Sequence, residues 1–174
     1  MSICPLCDFE NIDGEDFCDA CGQSLIALSM PKARSRLEKS ILKDPIAVLD
    51  PREPLACSPD ATVSWVLKLM YDHSVGCAVV VDEDGRPIGI FSERDALMRL
   101  GPDAGALSDR TIGEFMTPQP STLEESDRIA FALHRMDLGG YRHVPIVTDG
   151  RVSGVISVRD IMRYLNERLL PLEQ

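Results

Sequence analysis

Two spacings in this chain bring together side chains that could do chemistry. The first is a pair of C-x-x-C steps, Cys4-Pro5-Leu6-Cys7 and Cys18-Asp19-Ala20-Cys21, with ten residues between them. Four thiolates so placed suit a tetrahedral Zn²⁺ closed to water. The same S₄ set also holds iron in a rubredoxin-like site, and without a metal the thiols stand free or pair as disulfides. The second spacing is Ser-x-x-Asp, found as Ser92-Glu93-Arg94-Asp95 and again as Ser157-Val158-Arg159-Asp160. Each copy follows a short apolar run, so each Ser falls where a helix N-cap belongs. A helix N-terminus offers free N–H groups and a positive dipole end to phosphate. A carboxylate in the first turn can accept both hydroxyls of a ribose, the Ser hydroxyl can add a bond, and the strand residues before it can form a slot for a flat base. That describes an adenosine pocket, supplied twice. Ser-x-x-Asp is also close to a capping box, which needs no ligand, and both readings stand at this point.

The elements that position these groups are themselves duplicated. Val63, Val66, Leu67 and Met70 form an i, i+3, i+4, i+7 stripe, and Ile129, Ala132, Leu133 and Met136 repeat it 66 positions on. Trp65 meets Phe131 at that offset, and Asp60 meets Ser126 as candidate N-cap. Cys77-Ala78-Val79-Val80-Val81 matches His143-Val144-Pro145-Ile146-Val147 as an apolar strand, Pro145 weakening the second or placing it at an edge. The turn Asp82-Glu83-Asp84-Gly85 shortens to Thr148-Asp149-Gly150, so Gly89 to Asp95 meets Gly154 to Asp160 at an offset of 65. One helix-strand-turn-strand-helix unit is therefore used twice, and such a unit buries its apolar face against its twin. Helices are expected from about 61 to 73, 92 to 100, 127 to 138 and 157 to 169, with Gly101-Pro102 and Gly139-Gly140 as stops.

The stretches "SVGCAVVVDEDGRPIGIFSERD" and "YRHVPIVTDGRVSGVISVRD" resemble the two members of a tandem CBS-domain pair, a Bateman module. The resemblance implies an α/β (α+β) fold of two repeats, each a small sheet packed with helices. It also implies that Ser92 with Asp95, and Ser157 with Asp160, bind the ribose of AMP, ADP, ATP or S-adenosylmethionine. Arg142 and His143 open the strand where the family places phosphate-contacting basic residues, whereas the first repeat has Gly76 and Cys77. The second site is thus the better equipped for a phosphorylated ligand. Arg94, Arg159, Thr117 and Thr122 are further candidates. Cys57 and Cys77 read as core thiols rather than a redox pair, and His73 and His134 as exposed. The family further implies a flat two-fold homodimer, and the exposed apolar residues of the helices, Trp65 and Phe131 among them, are the candidates for its interface.

Residues 1–24 resemble a short zinc-ribbon knuckle domain, except that Asp8 stands where many ribbons have Gly after the first knuckle. Phe9, Ile12 and Phe17 are its main apolar groups, too few for a core, so metal must supply most of its folding energy. Residues 25–43 read as a linker with a basic helix: Pro31 suits the first helical position, and Lys32, Arg34, Arg36, Lys39 and Lys43 alternate with Leu37, Ile41 and Leu42. That face is either solvated or a contact for an acidic partner or a ligand's phosphates. The repeats then occupy 44–108 and 109–174.

The bulk properties exclude several classes. At 174 residues and 44% hydrophobic content the chain can close a core and is not disordered by composition. A formal net charge of -10 argues against nucleic acid or anionic lipid as partner. No apolar run reaches the roughly 18 residues of a membrane span, and the start has no signal-peptide pattern, so a cytoplasmic location is expected. There is no G-x-S-x-G elbow, phosphate loop or H-E-x-x-H motif, so the expectation is a regulatory binding module rather than an enzyme. A metal-dependent scaffold whose repeats only dimerise is the alternative, and an iron-bearing electron carrier is a third class.

Overall fold

The computed structural model describes residues 2–4, 7–12, 15–22, 25 and 36–169. The chain divides into two compact units, Met1–Lys39 and Ser40–Gln174. In the first, β1 (Ser2–Ile3) pairs antiparallel with β2 (Glu10–Asn11). Backbone bonds close two knuckles: Asp8 N–H donates to the Cys4 carbonyl at 2.9 Å, and Gly22 N–H to that of Cys18 at 2.8 Å. Both knuckle ends have positive φ, +58° at Asp8 and +71° at Gly22. Asp8 therefore takes the left-handed conformation that Gly would adopt, which Asp tolerates better than most residues. Among the described residues of this unit the buried apolar groups are Cys4, Cys18 and Leu25, Asn11 is the buried polar one, and Phe9, Ile12 and Phe17 stay exposed. Hydrophobic burial contributes little to this unit. The expected Pro31 helix start, with Lys32 and Arg34, lies outside the described residues; helix α1 spans Arg36–Lys43. Ile41 packs on the larger unit's core, and Leu42 remains exposed.

The larger unit carries the duplication. Its first copy runs β3 (Ala56–Cys57), α2 (Val63–Asp72), β4 (Cys77–Val81), β5 (Pro87–Ser92) and α3 (Glu93–Asp95), which continues as a π-helix over Ala96–Leu100. Its second runs β6 (Thr117–Pro118), α4 (Ile129–Gly139), β7 (His143–Thr148), β8 (Arg151–Ser157) and α5 (Val158–Leu169). Both hairpins are antiparallel. Asp149 and Gly150 both have positive φ, as a two-residue hairpin turn of this twist requires. Pro145 stands on an edge strand, as expected: β7 pairs with β8 in a two-stranded sheet, and its other side carries a single parallel bridge from Leu123 to Ile146. Leu123 N–H donates to the Pro145 carbonyl, so the proline's missing N–H faces the lead-in and disturbs no bond to β8.

The lead-in of each copy is exchanged. Thr117 pairs antiparallel with Ile90 of the first copy, and Arg52 pairs in the same way with Val155 of the second. Thr111 bridges to Thr62, and Pro45 to Arg128. The cores reflect the exchange. Ile112 packs with Val63, Val66, Val80 and Phe91, whereas Ile46 and Leu49 pack with Ile129, Val144, Ile156 and Ile161. Each fully buried aliphatic of this kind contributes about 1.5–3 kcal/mol, so neither core is complete without a segment from the other copy. The exchange also explains Gly89 and Gly154, three residues before each Ser. A Cβ on Gly89 would lie 2.1 Å from Met116 Sδ, and one on Gly154 would lie 2.8 Å from Pro51 Cβ. Each glycine makes room for the crossing lead-in.

Helix starts differ from the sequence expectation. Thr62, not Asp60, caps α2, its hydroxyl accepting from Trp65 N–H at 3.3 Å. At α4 the N-cap position is Arg128, not Ser126, and it makes no side-chain cap. The first N–H groups are served across the exchange instead. Val63 N–H donates to the Arg110 carbonyl, and Ile129 N–H to that of Asp44. A backbone partner leaves the side-chain cap dispensable.

Candidate ligand-binding cleft and cysteine cluster

Strands β5 and β8 end in Ser92 and Ser157, and each hands the chain to a helix whose third residue is the Asp. At the first site the Ser92 hydroxyl donates to Asp95 Oδ2 at 2.6 Å, and Ser92 N–H donates to the same oxygen at 2.9 Å. At the second, Ser157 does the same to Asp160 Oδ2, at 2.6 Å from Oγ and 2.8 Å from N. The capping box expected from sequence is complete at Ser92, and it uses one carboxylate oxygen in each copy.

The other oxygen is held by Thr117, already a candidate from the sequence, and by arginines that sequence reading missed. Asp95 Oδ1 accepts from the Thr117 hydroxyl at 3.1 Å and lies 3.4 Å from Arg99 Nε. The Arg99 guanidinium also donates to the Phe115 and Met116 carbonyls, at 2.9 and 2.6 Å. Asp160 Oδ1 lies 3.2 Å from Arg163 and 3.5 Å from Arg52, and Arg163 donates in turn to the Leu49 carbonyl at 3.3 Å. The Asp160 side chain is only 3% exposed, against 14% for Asp95. A carboxylate that buried needs cationic or hydrogen-bonding partners. The only advance signal was the presence of an arginine three or four residues after each Asp.

One cleft of about 690 Å³ brings both pairs together, within the roughly 300–1,000 Å³ of small-molecule pockets. Ser92, Asp95, Ser157, Asp160, Arg142 and His143 all line it, as do Arg94, Arg159 and Thr117; Thr122 does not. Arg94 is engaged across the copies, donating to the Gly140 carbonyl at 3.1 Å, while Arg142 and Arg159 are exposed at the rim. The His143 ring occupies the space above Gly76, where a Cβ would lie 2.8 Å from His143 Nε2. The first copy's Gly76, opposite Arg142 in the repeat, is thus needed by the second copy's histidine. Burial lowers the His143 pKa, Glu93 and Asp160 pull it up, and Arg142 and Arg159 push it down. Cys57 and Cys77 are buried; burial, with the Glu93 charge, pushes the Cys77 thiol up to about 12. His73 and His134 are exposed.

In the smaller unit the four sulfurs of Cys4, Cys7, Cys18 and Cys21 lie within 4.8 Å of one another. Cys4 and Cys21 Sγ are 3.7 Å apart, and Cys7 and Cys18 Sγ 3.6 Å. Those are far beyond a disulfide bond. They match the edge of a tetrahedron with metal–sulfur bonds of about 2.3 Å, which is roughly 3.8 Å. Burial opposes ionisation of Cys18, but N–H groups of Cys21 and Ala20 and the thiols of Cys7 and Cys21 outweigh it and bring its pKa to about 6. The donor set fits a closed metal site.

A duplicated α/β unit with exchanged lead-ins and one shared cleft defines the class of this fold. The CBS-domain profile matches residues 45–101 and 112–167, and the chain belongs to the CBS-domain family. Among solved structures it is similar to a CBS domain protein from Pyrobaculum aerophilum complexed with AMP, with 30% identity, a TM-score of 0.63 and coverage of 72% of this chain and 97% of that one. It is also similar to the CBS domain pair of protein MJ0100 in complex with 5-methylthioadenosine and S-adenosyl-L-methionine, at 26% identity and a TM-score of 0.60, covering 70% and 96%. The mitochondrial CBS domain-containing protein CBSX3 of Arabidopsis thaliana is 30% identical over 113 residues, 63% of this chain and 55% of that one. The match spans 64% and 58% of the length of two other relatives, from Acidianus ambivalens and Methanopyrus kandleri. Among the described residues no helix is long and apolar enough to cross a membrane.

Proposed function

We propose that this chain is a regulatory module that binds an adenosine-containing ligand (AMP, ADP, ATP or S-adenosylmethionine) in the cleft between its repeats. The observation that carries the reading is the convergence of two Ser–Asp pairs, each at a helix N-terminus, on one cleft of about 690 Å³. Asp160 and Asp95 take ribose hydroxyls, Ser157 and Ser92 assist, and Arg142 and His143 face the phosphate of a ligand in the second site. The AMP and S-adenosylmethionine complexes of the similar structures support this ligand class. Cys4, Cys7, Cys18 and Cys21 hold Zn²⁺ in a ribbon over residues 1–24. The linker at 25–43 joins it to repeats at 44–108 and 109–174, and the ribbon presents the module's state to a protein partner. A reducing cytoplasm suits such thiolates. A second copy of the chain packs on the helices through Trp65 and Phe131, which are 47% and 50% exposed. Sedimentation at a clean monomer mass at high micromolar concentration would remove that part.

The competing reading is a metal-dependent scaffold, favoured by the way each carboxylate already closes on its own Ser and an arginine. Thermal melting separates the two. A ligand at a hundredfold excess over its Kd adds about 2.7 kcal/mol of stability. The expected result is a rise with one of the four ligands that Asp160→Ala abolishes. A rise that survives in the variant moves the site to Ser92 and Asp95. No rise with any of them leaves both pairs as helix caps and the scaffold reading ahead.

A further inference from the structure

One face of α5 grips the whole segment 44–52, and only one of its contacts lies in the cleft. Asp160, Tyr164 and Arg168 lie at i, i+4 and i+8, a single stripe along the helix. Tyr164 donates to Asp44 Oδ2 at 2.7 Å, and Arg168 donates to the same oxygen at 3.1 Å. Arg168 also stacks on the Tyr164 ring at 3.8 Å. One turn nearer the cleft, Arg163 joins the Leu49 carbonyl to Asp160 Oδ1, and Arg52 reaches the same oxygen. The first copy holds a different segment. Arg99 ties Asp95 to Phe115, Met116 and Thr117, which lie between the repeats, and its helix ends at Leu100. Segment 44–52, by contrast, continues directly from α1.

We propose that Asp160 is a ligand-operated clamp on segment 44–52, released when ribose hydroxyls replace Arg52 and Arg163 at Oδ1; Asp95 does not govern this segment. This rests on the adenosine reading above. Oδ2 of Asp160 is taken twice by Ser157, so a ribose competes for Oδ1. A guanidinium displaced from Oδ1 loses the anchor that aims it at the Leu49 carbonyl. The second site is thereby the one whose occupancy acts on segment 44–52, and Arg52 and Arg163 are its positioning residues.

Hydrogen exchange of the full chain tests this, with AMP as first probe and ADP, ATP and S-adenosylmethionine after it. The reporters are the N–H groups of Ile46, Ala47 and Arg52, which donate to the carbonyls of Asp127, Glu125 and Val155. A bound probe is expected to speed their exchange. Arg163→Met, at a side chain 48% exposed, is expected to speed it without any probe, and a probe then adds less than it does to wild type, since only Arg52 is left to displace. Its affinity for the probe rises about two- to fivefold, the effect of removing one partly exposed ionic competitor. Arg99→Met leaves these three amides unchanged. Slower or unaltered exchange with a probe bound, or an Arg163→Met protein that exchanges as wild type does, overturns the clamp. Failure of all four probes to bind overturns the ligand reading and the release with it. That failure is distinguishable, because the Arg163→Met comparison needs no ligand.

Discussion

Arg99 and Arg163 make equivalent contacts from positions out of step by one residue. Each joins the Asp of its own helix to a carbonyl of the other copy's lead-in, Phe115 for Arg99 and Leu49 for Arg163. Asp95 and Asp160 are 65 apart in sequence, but Arg99 and Arg163 are 64 apart. The first copy has one residue more between Asp and Arg. The π-helix at Ala96–Leu100 absorbs it, because a π turn holds one residue more than an α turn. Past it the copies are in step again, with Leu100 and Tyr164 both buried.

Deleting Leu97, which is 75% exposed, is therefore expected to convert the π turn to an α turn and keep every Arg99 contact. Stability should stay within about 1 kcal/mol of wild type. Deleting Met162, 59% exposed, removes a residue where α5 has no surplus. It rotates the remainder of the helix by about 100° and takes Tyr164 out of the core, at about 4 kcal/mol or more. Denaturant melts of the two deletions decide this; equal losses would mean the π turn is not an insertion.

The duplication was legible because it rests on apolar periodicity and on turn residues, which sequence displays directly. The Ser–Asp pairs were legible for the same reason, being fixed in spacing by the strand-to-helix corner. The exchange of lead-ins was not. It rests on single bridges such as Arg52 to Val155 and Thr111 to Thr62, too short to carry a period. Its trace was Gly89 and Gly154, whose missing Cβ atoms admit Met116 and Pro51. Asp60 and Ser126 looked like caps because cap types are enriched before helices, but the carbonyls that meet Val63 and Ile129 come from residues distant in sequence. The π turn had a trace too, in the slip of offset from 65 to 64.

His143 makes the fold sensitive to pH in one direction. Burial is the largest influence on its ring and lowers its pKa, with Glu93 opposing. The folded value thus lies below the unfolded value of about 6.5. Between the two, the unfolded chain binds more protons, so stability is fully present above about pH 6.5 and is lost as pH falls through the folded value. His143→Gln should flatten this part of the profile. Melting temperatures of both proteins from about pH 7.5 to about pH 5 give the difference, in which the carboxylates common to both cancel. Parallel profiles would mean that His143 is not held neutral by its burial above Gly76.

The cysteine unit should depend on metal in a way the repeats do not. Among its described residues the buried apolar groups are two thiols and Leu25, and Phe9, Ile12 and Phe17 stay in solvent. Hydrophobic burial of that size cannot offset the ordering of some twenty residues, at about 1–2 kcal/mol each for the backbone alone. A structural zinc contributes about 10–16 kcal/mol at neutral pH, and the sulfur separations of 3.6 and 3.7 Å match its coordination tetrahedron. One metal per chain is expected, with Cys18→Ser losing it. Chelation should then remove exchange protection from the amides of Cys4, Asp8 and Gly22, while those of Val79, Val155 and Ile129 keep theirs. Protection that persists in the first group after the metal is gone would show that the knuckles fold without it. A red oxidised protein would assign iron to the site, and a colourless one zinc.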